Sequence, residues 1–350
     1  MSMVALVHQS ANVLPSELNR LDDTALLAMR ICDLPIRLEG VLAWRVERLH
    51  RELKMHGIVA LPHTWLSEEF FTPDGVLGFA IPFYLAHRRL MRLERAQMLE
   101  VEGAGEAECR RIFRHEAGHC LDEAYAFYRR DRYQELFGDA RREYPTSYIP
   151  KPESRDYVIN LAGWYAQGHP VEDFAETFAV WLNPYCDWRS DYQRWPLALR
   201  KLAYVDELMR EIAGKPPINT DTREVESLHG LTRPLREHYT QKRAYFAWRW
   251  SANYDVDLRR IFCDATENPD APLATRFLRR RRPQLRNRIA EGTGVHAYTV
   301  DQLLRQMIAR LHNLGLRVVD PPEIATEKLL VSLTMQIATV IHSGYPKVAL

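Results

Sequence analysis

The chain has 350 residues, of which 46% are hydrophobic and 27% charged, and its formal net charge is +1. This balance is that of an ordinary globular protein, and the length allows one large domain with an extension, or two domains. No run approaches the roughly 18 apolar residues of a membrane helix, and Met1 to Arg20 lack the features of a secretory signal. The five cysteines are scattered and odd in number, which favours reduced thiols over a disulfide framework. Together these features predict a cytoplasmic protein.

The first regular elements predicted along the chain are one helix and a set of strands. Trp44 to His56 has the pattern of a basic amphipathic helix that ends at Gly57. From Ile58 to Glu102, prolines and glycines separate short apolar runs, which is typical of strands. The best strand candidates in this segment are Val76 to Leu85 and Leu90 to Val101.

A five-residue pattern, His115-Glu116-Ala117-Gly118-His119, follows on a helix predicted from about Gly105 to Arg130. Residues four apart share one helix face, so His115 and His119 can present two imidazoles to one metal ion. Glu116 lies about 100° around the helix, where it can hold a water without being a ligand. Two neutral imidazoles suit Zn²⁺, and a catalytic zinc needs one more protein ligand and an open position. Alone, the pattern is only moderately specific, because two exposed histidines can match by chance.

A second helix is predicted within Tyr165 to Leu182, with Pro170 in its first turn and Asn183-Pro184 at its end. Its core-facing stripe consists of apolar residues at i, i+4, i+7 and i+8 spacing: Phe174, Phe178, Trp181 and Leu182.

Glu172 and Glu176 lie four apart on a different face of this second helix. One of the two carboxylates can bind zinc, while the other accepts a hydrogen bond from a ligating histidine. The alternative is a solvated acidic face, which is the commoner fate of a glutamate pair. The upstream histidine pattern favours the metal site.

These residues resemble the active site of lethal-factor-type HExxH gluzincins. In that group the first Glu of an E-x-F-A-E helix is the third zinc ligand, and a Tyr seven residues earlier faces the substrate carbonyl. The resemblance therefore implies that Glu172 is a ligand and that Tyr165 contacts the substrate. More broadly, residues from roughly 35 to 212 resemble a bacterial family of zinc-binding metallopeptidases. The matching segments are Phe79–Leu85, Met91–Arg95, Arg114–His119, Trp164–Gln167 and Pro170–Ala179.

The family resemblance implies a fold, and the sequence pattern gives the domain division. We expect an α+β protein with a zincin-like core, in which a small mixed sheet packs on the HExxH helix and the Glu-bearing helix. An edge strand of such a sheet typically pairs with the extended substrate. The expected division is an N-terminal extension at 1–40, a metallopeptidase domain at 41–214 and a helical C-terminal domain at 223–350. The Pro-rich stretch from Lys215 to Asp221 is the candidate linker.

The charge changes sign beyond this stretch. Residues 223–350 contain 20 Lys and Arg against 13 Asp and Glu, a formal +7, which leaves −6 for residues 1–222. The sequence here predicts mostly helices, with Thr299 and Gln302 as a capping box and Gly315 as a helix end.

A basic cluster from Arg279 to Arg282 and an aromatic cluster (Tyr245, Phe246, Trp248 and Trp250) occur in this half. Basic residues interleaved with aromatic ones can bind nucleic acid. We favour the alternative, in which the arginines form a solvated helical face and the aromatic residues belong to a core. The arginines could equally dock on the acidic N-terminal half. Nucleic-acid binding is therefore not expected.

The predicted function is that of a zinc-dependent peptidase with one Zn²⁺ per chain. His115, His119 and Glu172 would bind the metal, Glu116 would activate the zinc-bound water, and Tyr165 would stabilise the oxyanion. Glu176 would support a ligating histidine. His169, three residues before Glu172, is a candidate substrate contact.

The expected partner is a peptide or protein substrate, with no membrane partner; the oligomeric state is not predicted. The alternative is a regulatory or scaffold protein that keeps the zinc site but acts through its helical C-terminal region.

Overall fold

The chain is mostly helical in a computed structural model that describes residues 15–145, 148–247 and 255–342. The α-helices, in chain order, are α1 (Asp23–Ala28), α2 (Gly40–Met55), α3 (Arg88–Met98), α4 (Glu106–Tyr125), α5 (Asp131–Phe137), α6 (Pro170–Leu182), α7 (Trp188–Asp191), α8 (Pro196–Ile212), α9 (Leu235–Phe246), α10 (Asp255–Ile261), α11 (Ala274–Thr293), α12 (Ala297–Leu314) and α13 (Pro322–His342). The two strands are β1 (His63–Ser67) and β2 (Gly78–Pro82).

The strands form a small parallel sheet, in which His63 pairs with Gly78 and Ser67 with Pro82. An isolated antiparallel bridge joins Phe71 to Ala80 of β2. Every residue of β2 is buried, as expected for a strand covered on both faces. The expected strand at Val76–Leu85 is therefore confirmed in its centre, and the combination of helices with a small sheet is compatible with an α+β fold.

The second expected strand, Leu90–Val101, is wrong, because this segment lies in helix α3 and the turn after it. The buried positions of α3 include Leu90, Leu93 and Met98, whose spacing follows the helical period. Arginine, leucine, methionine and glutamate dominate the segment, and all of them are good helix formers. The nitrogen Nδ1 of His87 accepts a hydrogen bond from the backbone of Arg89 and caps the helix.

The helices expected around the candidate site are present. Helix α2 covers the predicted segment from Trp44 as far as Met55, and His56 is its C-cap. Helix α6 begins with Pro170 and ends at Leu182 as predicted. Helix α4 ends at Tyr125, earlier than the expected Arg130, because Ala126 adopts the left-handed conformation with φ 51°. The two helices that carry the candidate ligands, α4 and α6, pack directly against each other.

The buried apolar residues fall into two main clusters. The first runs from Leu18 to Tyr239 and includes residues of α2, α4, α6 and α8. It therefore continues past the candidate linker, whose Ile218 and Asn219 amides donate hydrogen bonds to the Ala124 carbonyl of α4. The second cluster joins helices α10 to α13, from Leu258 to Ile337.

The residues of the first apolar cluster contact those of helices α10 to α13 near the end of α3 and the start of α12. The imidazole of His296 lies 3.0 Å from the Glu100 carboxylate and stacks on Phe246 at 3.9 Å between ring centroids. His296 also caps α12, and the Thr299 hydroxyl donates to the Phe246 carbonyl, so the expected capping box at Thr299 is wrong. Gly315 ends α12 in the left-handed conformation, as predicted.

The arginine cluster lies on α11, and its ion-pair partners in the described residues belong to the same helical unit. Arg282 and Arg286 lie 3.2 and 3.6 Å from the buried Asp301 of α12. Arg281 lies 3.7 Å from Glu323 of α13. These contacts do not support docking on the acidic half. Trp248 and Trp250 lie outside the described residues.

Among the described helices, none combines the length and the apolar character that a membrane crossing requires.

Candidate metal centre

Three ligand atoms from α4 and α6 converge at one point. The Nε2 atoms of His115 and His119 lie 3.0 Å apart, and Glu172 Oε2 lies 3.1 and 3.2 Å from them. A tetrahedral zinc with bonds of 2.0–2.1 Å would separate its ligands by about 3.3 Å. The triangle is thus close to the size that a bound zinc requires, and two imidazoles with one carboxylate are a donor set that zinc accepts. The residues fit the metal.

The triangle forms because α4 and α6 approach very closely beside the ligands. Gly118 lies between the ligand positions of α4, and a Cβ atom built on it would be 2.8 Å from the Cα of Ala175. Real side chains do not pack that closely, so only glycine fits there. The two helices therefore touch backbone to backbone within a few residues of His119 and Glu172.

A network of hydrogen bonds fixes the orientation of His115. Its Nδ1 lies 2.9 Å from Glu176 Oε1, which leaves Nε2 directed at the other two ligand atoms. Glu176 is fully buried, and it also accepts hydrogen bonds from the Asn160 side chain at 2.7 Å and the Leu161 amide at 2.8 Å. A carboxylate that holds the second nitrogen of a ligating histidine sets its tautomer and its basicity.

The buried carboxylate of Glu116 is held by a residue near the sheet. The Thr72 hydroxyl donates to Glu116 Oε2 at 2.8 Å. Thr72 follows Phe71, which bridges β2, so a residue of the sheet region holds the Glu116 side chain. The same hydroxyl lies 3.7 Å from the buried Cys120 thiol.

Tyr165 packs against the ligand group from a short irregular helical segment, Ala162–Gln167. Its ring centroid lies 5.6 Å from that of His115. The two residues directly before it, Gly163 and Trp164, both have positive φ, at 74° and 55°. For Trp164 this is an unfavourable conformation, which places Tyr165 at the site. Burial, with a smaller contribution from the nearby Glu172 charge, raises the pKa of Tyr165 well above its usual value, so the phenol stays protonated.

His169 lies at the N-terminus of α6, and both of its ring nitrogens are engaged with backbone. The Nδ1 atom accepts from the Val171 amide at 3.4 Å, and Nε2 lies 3.0 Å from the Arg142 carbonyl. Tyr144 stacks on the His169 ring with centroids 3.9 Å apart. The imidazole thus caps the helix that carries Glu172 and supports Tyr144. Its role as a substrate contact stays a prediction.

Part of the chain matches a known protein family, and the matched range includes the site residues described above except Thr72. Residues 111–207 match the family described as "Putative zinc-binding metallo-peptidase". The matched range is narrower than the segment from about residue 35 expected from the sequence. Neither the curated proteins nor the solved structures contain a match to this chain.

In the metal-free site, a proton on His115 offsets the negative charge of the neighbouring carboxylates. Burial alone would lower the pKa of His115, but the hydrogen bonds and charges of Glu172 and Glu176 raise it to about 10. Burial alone would also raise the pKa of Glu172, yet the two histidines hold it well below its usual value. The site is thus preorganised for positive charge, and a bound zinc ion would take the place of the imidazole proton.

A buried ion pair anchors each of the two ligand-bearing helices. Arg114, next to His115, makes two hydrogen bonds of 2.8 and 2.9 Å to Glu52 of α2. Asp173, next to Glu172, lies 2.6 Å from the buried Lys201 of α8. Removing one member of such a pair leaves an uncompensated buried charge. The matched segment therefore depends on α2, which lies outside the matched range.

Three residues that shape the site were missed by the sequence interpretation: Thr72, Asn160 and Lys201. All lie far along the chain from the residues that they contact, and none belongs to a recognisable motif. A buried lysine in an otherwise apolar face of α8 is the one available signal, since buried charges are paired.

Proposed function

We propose that this protein is a zinc-dependent peptidase of the HExxH gluzincin type, with a mechanism like that of the lethal-factor group. The observation that supports the proposal best is the triangle of His115 Nε2, His119 Nε2 and Glu172 Oε2, 3.0–3.2 Å apart, with the Glu116 carboxylate on the same helix. His115, His119 and Glu172 would hold one zinc ion per chain, and the substrate would be a peptide or protein.

When bound, the zinc ion lowers the pKa of a coordinated water and polarises the carbonyl of the scissile bond. Glu116 accepts a proton from the attacking water and delivers it to the departing amine. Thr72 holds the Glu116 carboxylate in place through its hydroxyl. Tyr165 donates its phenolic hydrogen to the oxyanion that develops on the carbonyl, which its raised pKa permits at neutral pH.

The second candidate is a regulatory or scaffold protein that keeps the zinc but works through helices α10 to α13. These helices have their own apolar core, which favours this candidate because a unit with its own core can bind a partner protein independently of the metal site. A purely structural zinc site, however, needs neither a general base nor an oxyanion donor, and it closes its fourth position with protein. The presence of Glu116 and Tyr165 therefore favours the peptidase.

The test is a metal assay combined with turnover of a peptide library. The Glu116→Gln protein should keep its zinc and its fold but lose nearly all hydrolysis, since the amide cannot accept a proton. The matched control is Glu106→Gln, which makes the same change at an exposed position of α4 and should leave turnover unchanged. Hydrolysis that survives in Glu116→Gln would contradict the proposed base. A wild-type protein that binds zinc and cleaves no peptide would favour the scaffold.

A further inference from the structure

The two carboxylate oxygens of Glu172 have different partners. Oε2 faces the Nε2 atoms of both histidines, at 3.1 and 3.2 Å. Oε1 instead accepts a hydrogen bond of 2.7 Å from the hydroxyl of Tyr144. An oxygen that accepts a short hydrogen bond of this kind is less available to a cation, so the carboxylate offers the metal one atom.

Tyr144 is held in this position by the cap of the same helix. Its ring lies almost parallel to that of His169, with 12° between the planes. His169 in turn is fixed at both nitrogens by backbone partners, the Val171 amide and the Arg142 carbonyl. The Arg142 guanidinium adds a hydrogen bond of 3.2 Å to the Gly168 carbonyl. The loop before α6 is therefore tied to the helix that carries Glu172.

We propose that Tyr144 is a positioning residue that keeps Glu172 bound to zinc through a single oxygen. This inference rests on the metal site of the proposed function. A carboxylate that binds through both oxygens fills an additional coordination position, and a catalytic zinc needs that position for water or substrate. By occupying Oε1, the Tyr144 hydroxyl preserves the open position and fixes the direction of the ligand.

Because Tyr144 is partly exposed, its effect on the metal site can be distinguished from a general effect on stability. Tyr144→Phe removes only the phenolic oxygen of a residue that is 55% exposed, so it changes little of the packing around the ring. Tyr144→Phe also retains the ring that stacks on His169. Any change at the metal must therefore pass through the hydrogen bond to Glu172.

The test compares Tyr144→Phe with Tyr148→Phe in the full-length protein. Tyr148 lies in the same loop, but its hydroxyl donates to the Gly163 carbonyl at 2.7 Å instead of to a ligand. Zinc affinity is measured by competition with a chelator, and the coordination number is followed by the visible absorption of the Co²⁺-substituted protein. We expect Tyr144→Phe to weaken zinc binding by about 10–100-fold, as for other groups that hydrogen-bond to ligands, and to change the Co²⁺ spectrum. Tyr148→Phe should leave both close to wild type.

Equal weakening in the two variants would assign the effect to the loop as a whole and overturn the inference. An unchanged zinc affinity and Co²⁺ spectrum in Tyr144→Phe would overturn it as well. These results differ from a failure of the proposed function, in which the wild type itself would not bind zinc or not cleave peptides. Thermal unfolding of the metal-free proteins checks that both variants fold as the wild type does.

Discussion

Gly118 of α4 and Ala175 of α6 meet so closely that a Cβ atom on the glycine would lie 2.8 Å from the alanine Cα. The contact lies between the histidines on one helix and the glutamates on the other. The distance between the ligand atoms therefore depends on the absence of one methyl group.

Gly118→Ala should push the helices apart and disturb the metal site. Although alanine is the better helix former, we expect a loss of about 1–3 kcal/mol in the free energy of unfolding, as for other overpacked positions, and reduced zinc content. Gly292→Ala in α11 is the control, because nothing lies within 4 Å of the added methyl group there. It should be neutral or stabilising by up to about 1 kcal/mol. Denaturant unfolding and metal analysis measure both, and a stable, zinc-loaded Gly118→Ala protein would contradict the tight contact.

The ligand assignment predicts a graded series of metal losses. His119→Ala or Glu172→Ala should strip the zinc, since two remaining ligands hold it weakly. Glu176→Ala should lower zinc affinity or activity by only about 10–100-fold, because its carboxylate acts through His115. If Glu176→Ala abolished zinc binding while Glu172→Ala retained it, the two roles would be reversed.

Tyr165→Phe should separate catalysis from binding. Loss of one oxyanion donor is expected to lower kcat by roughly 10²–10³-fold, with a much smaller change in KM. Tyr125→Phe serves as the control, because its hydroxyl bonds to the Lys215 carbonyl instead of facing the ligand group. A kcat that falls equally in both variants would argue against the assigned role. Steady-state kinetics on a cleaved library peptide provide the measurement.

Zinc binding should release protons. Because the neighbouring carboxylates raise the pKa of His115 to about 10, against the effect of burial, the metal-free imidazole is protonated at neutral pH. The ligand must be deprotonated, so about one proton should leave this histidine per zinc, and the apparent affinity should rise with pH through the neutral range. Calorimetry in buffers with different ionisation enthalpies measures the release. Binding heats that are independent of the buffer would rule it out.

Lys201→Met should destabilise the protein strongly. The change leaves Asp173 buried without its cation, for which we expect a loss of about 3–5 kcal/mol, whereas Lys54→Met at an exposed position should have little effect.

The Lys201→Met protein should also differ from the wild type in how its free energy of unfolding depends on pH. Burial raises the pKa of Asp173 to about 7 despite the charge of Lys201, so its contribution to stability is lost as pH rises through that value. Without the lysine, the loss of stability between pH 5 and pH 8 should be steeper than in the wild type. Denaturant unfolding at both pH values tests this, and a parallel pH dependence in the two proteins would contradict it.

The sequence predicted those parts of the site that are local. His115, Glu116 and His119 lie within one helical turn and a half, and the stripe on α6 leaves Glu172 on a separate face. Thr72 and Asn160 were not predictable, because their contacts with the glutamates require loops to be brought in by packing over long separations. The segment that forms α3 was predicted to be a strand because a sheet was expected there, although the spacing of its apolar residues follows the helical period. Local pattern thus identified the ligands, and tertiary packing supplied the residues that hold them.

The boundary of the family match has a consequence for any attempt to isolate the site as a minimal fragment. Residues 111–207 retain the three ligand residues and Glu116 but lose Thr72 and Glu52. The apolar side of α4 would also face water where Phe79 now packs on Phe113 at 5.4 Å between ring centroids. Arg114 would be left without its counter-ion. The matched segment therefore cannot be expected to fold by itself, and the smallest independent unit that contains it reaches back at least to α2.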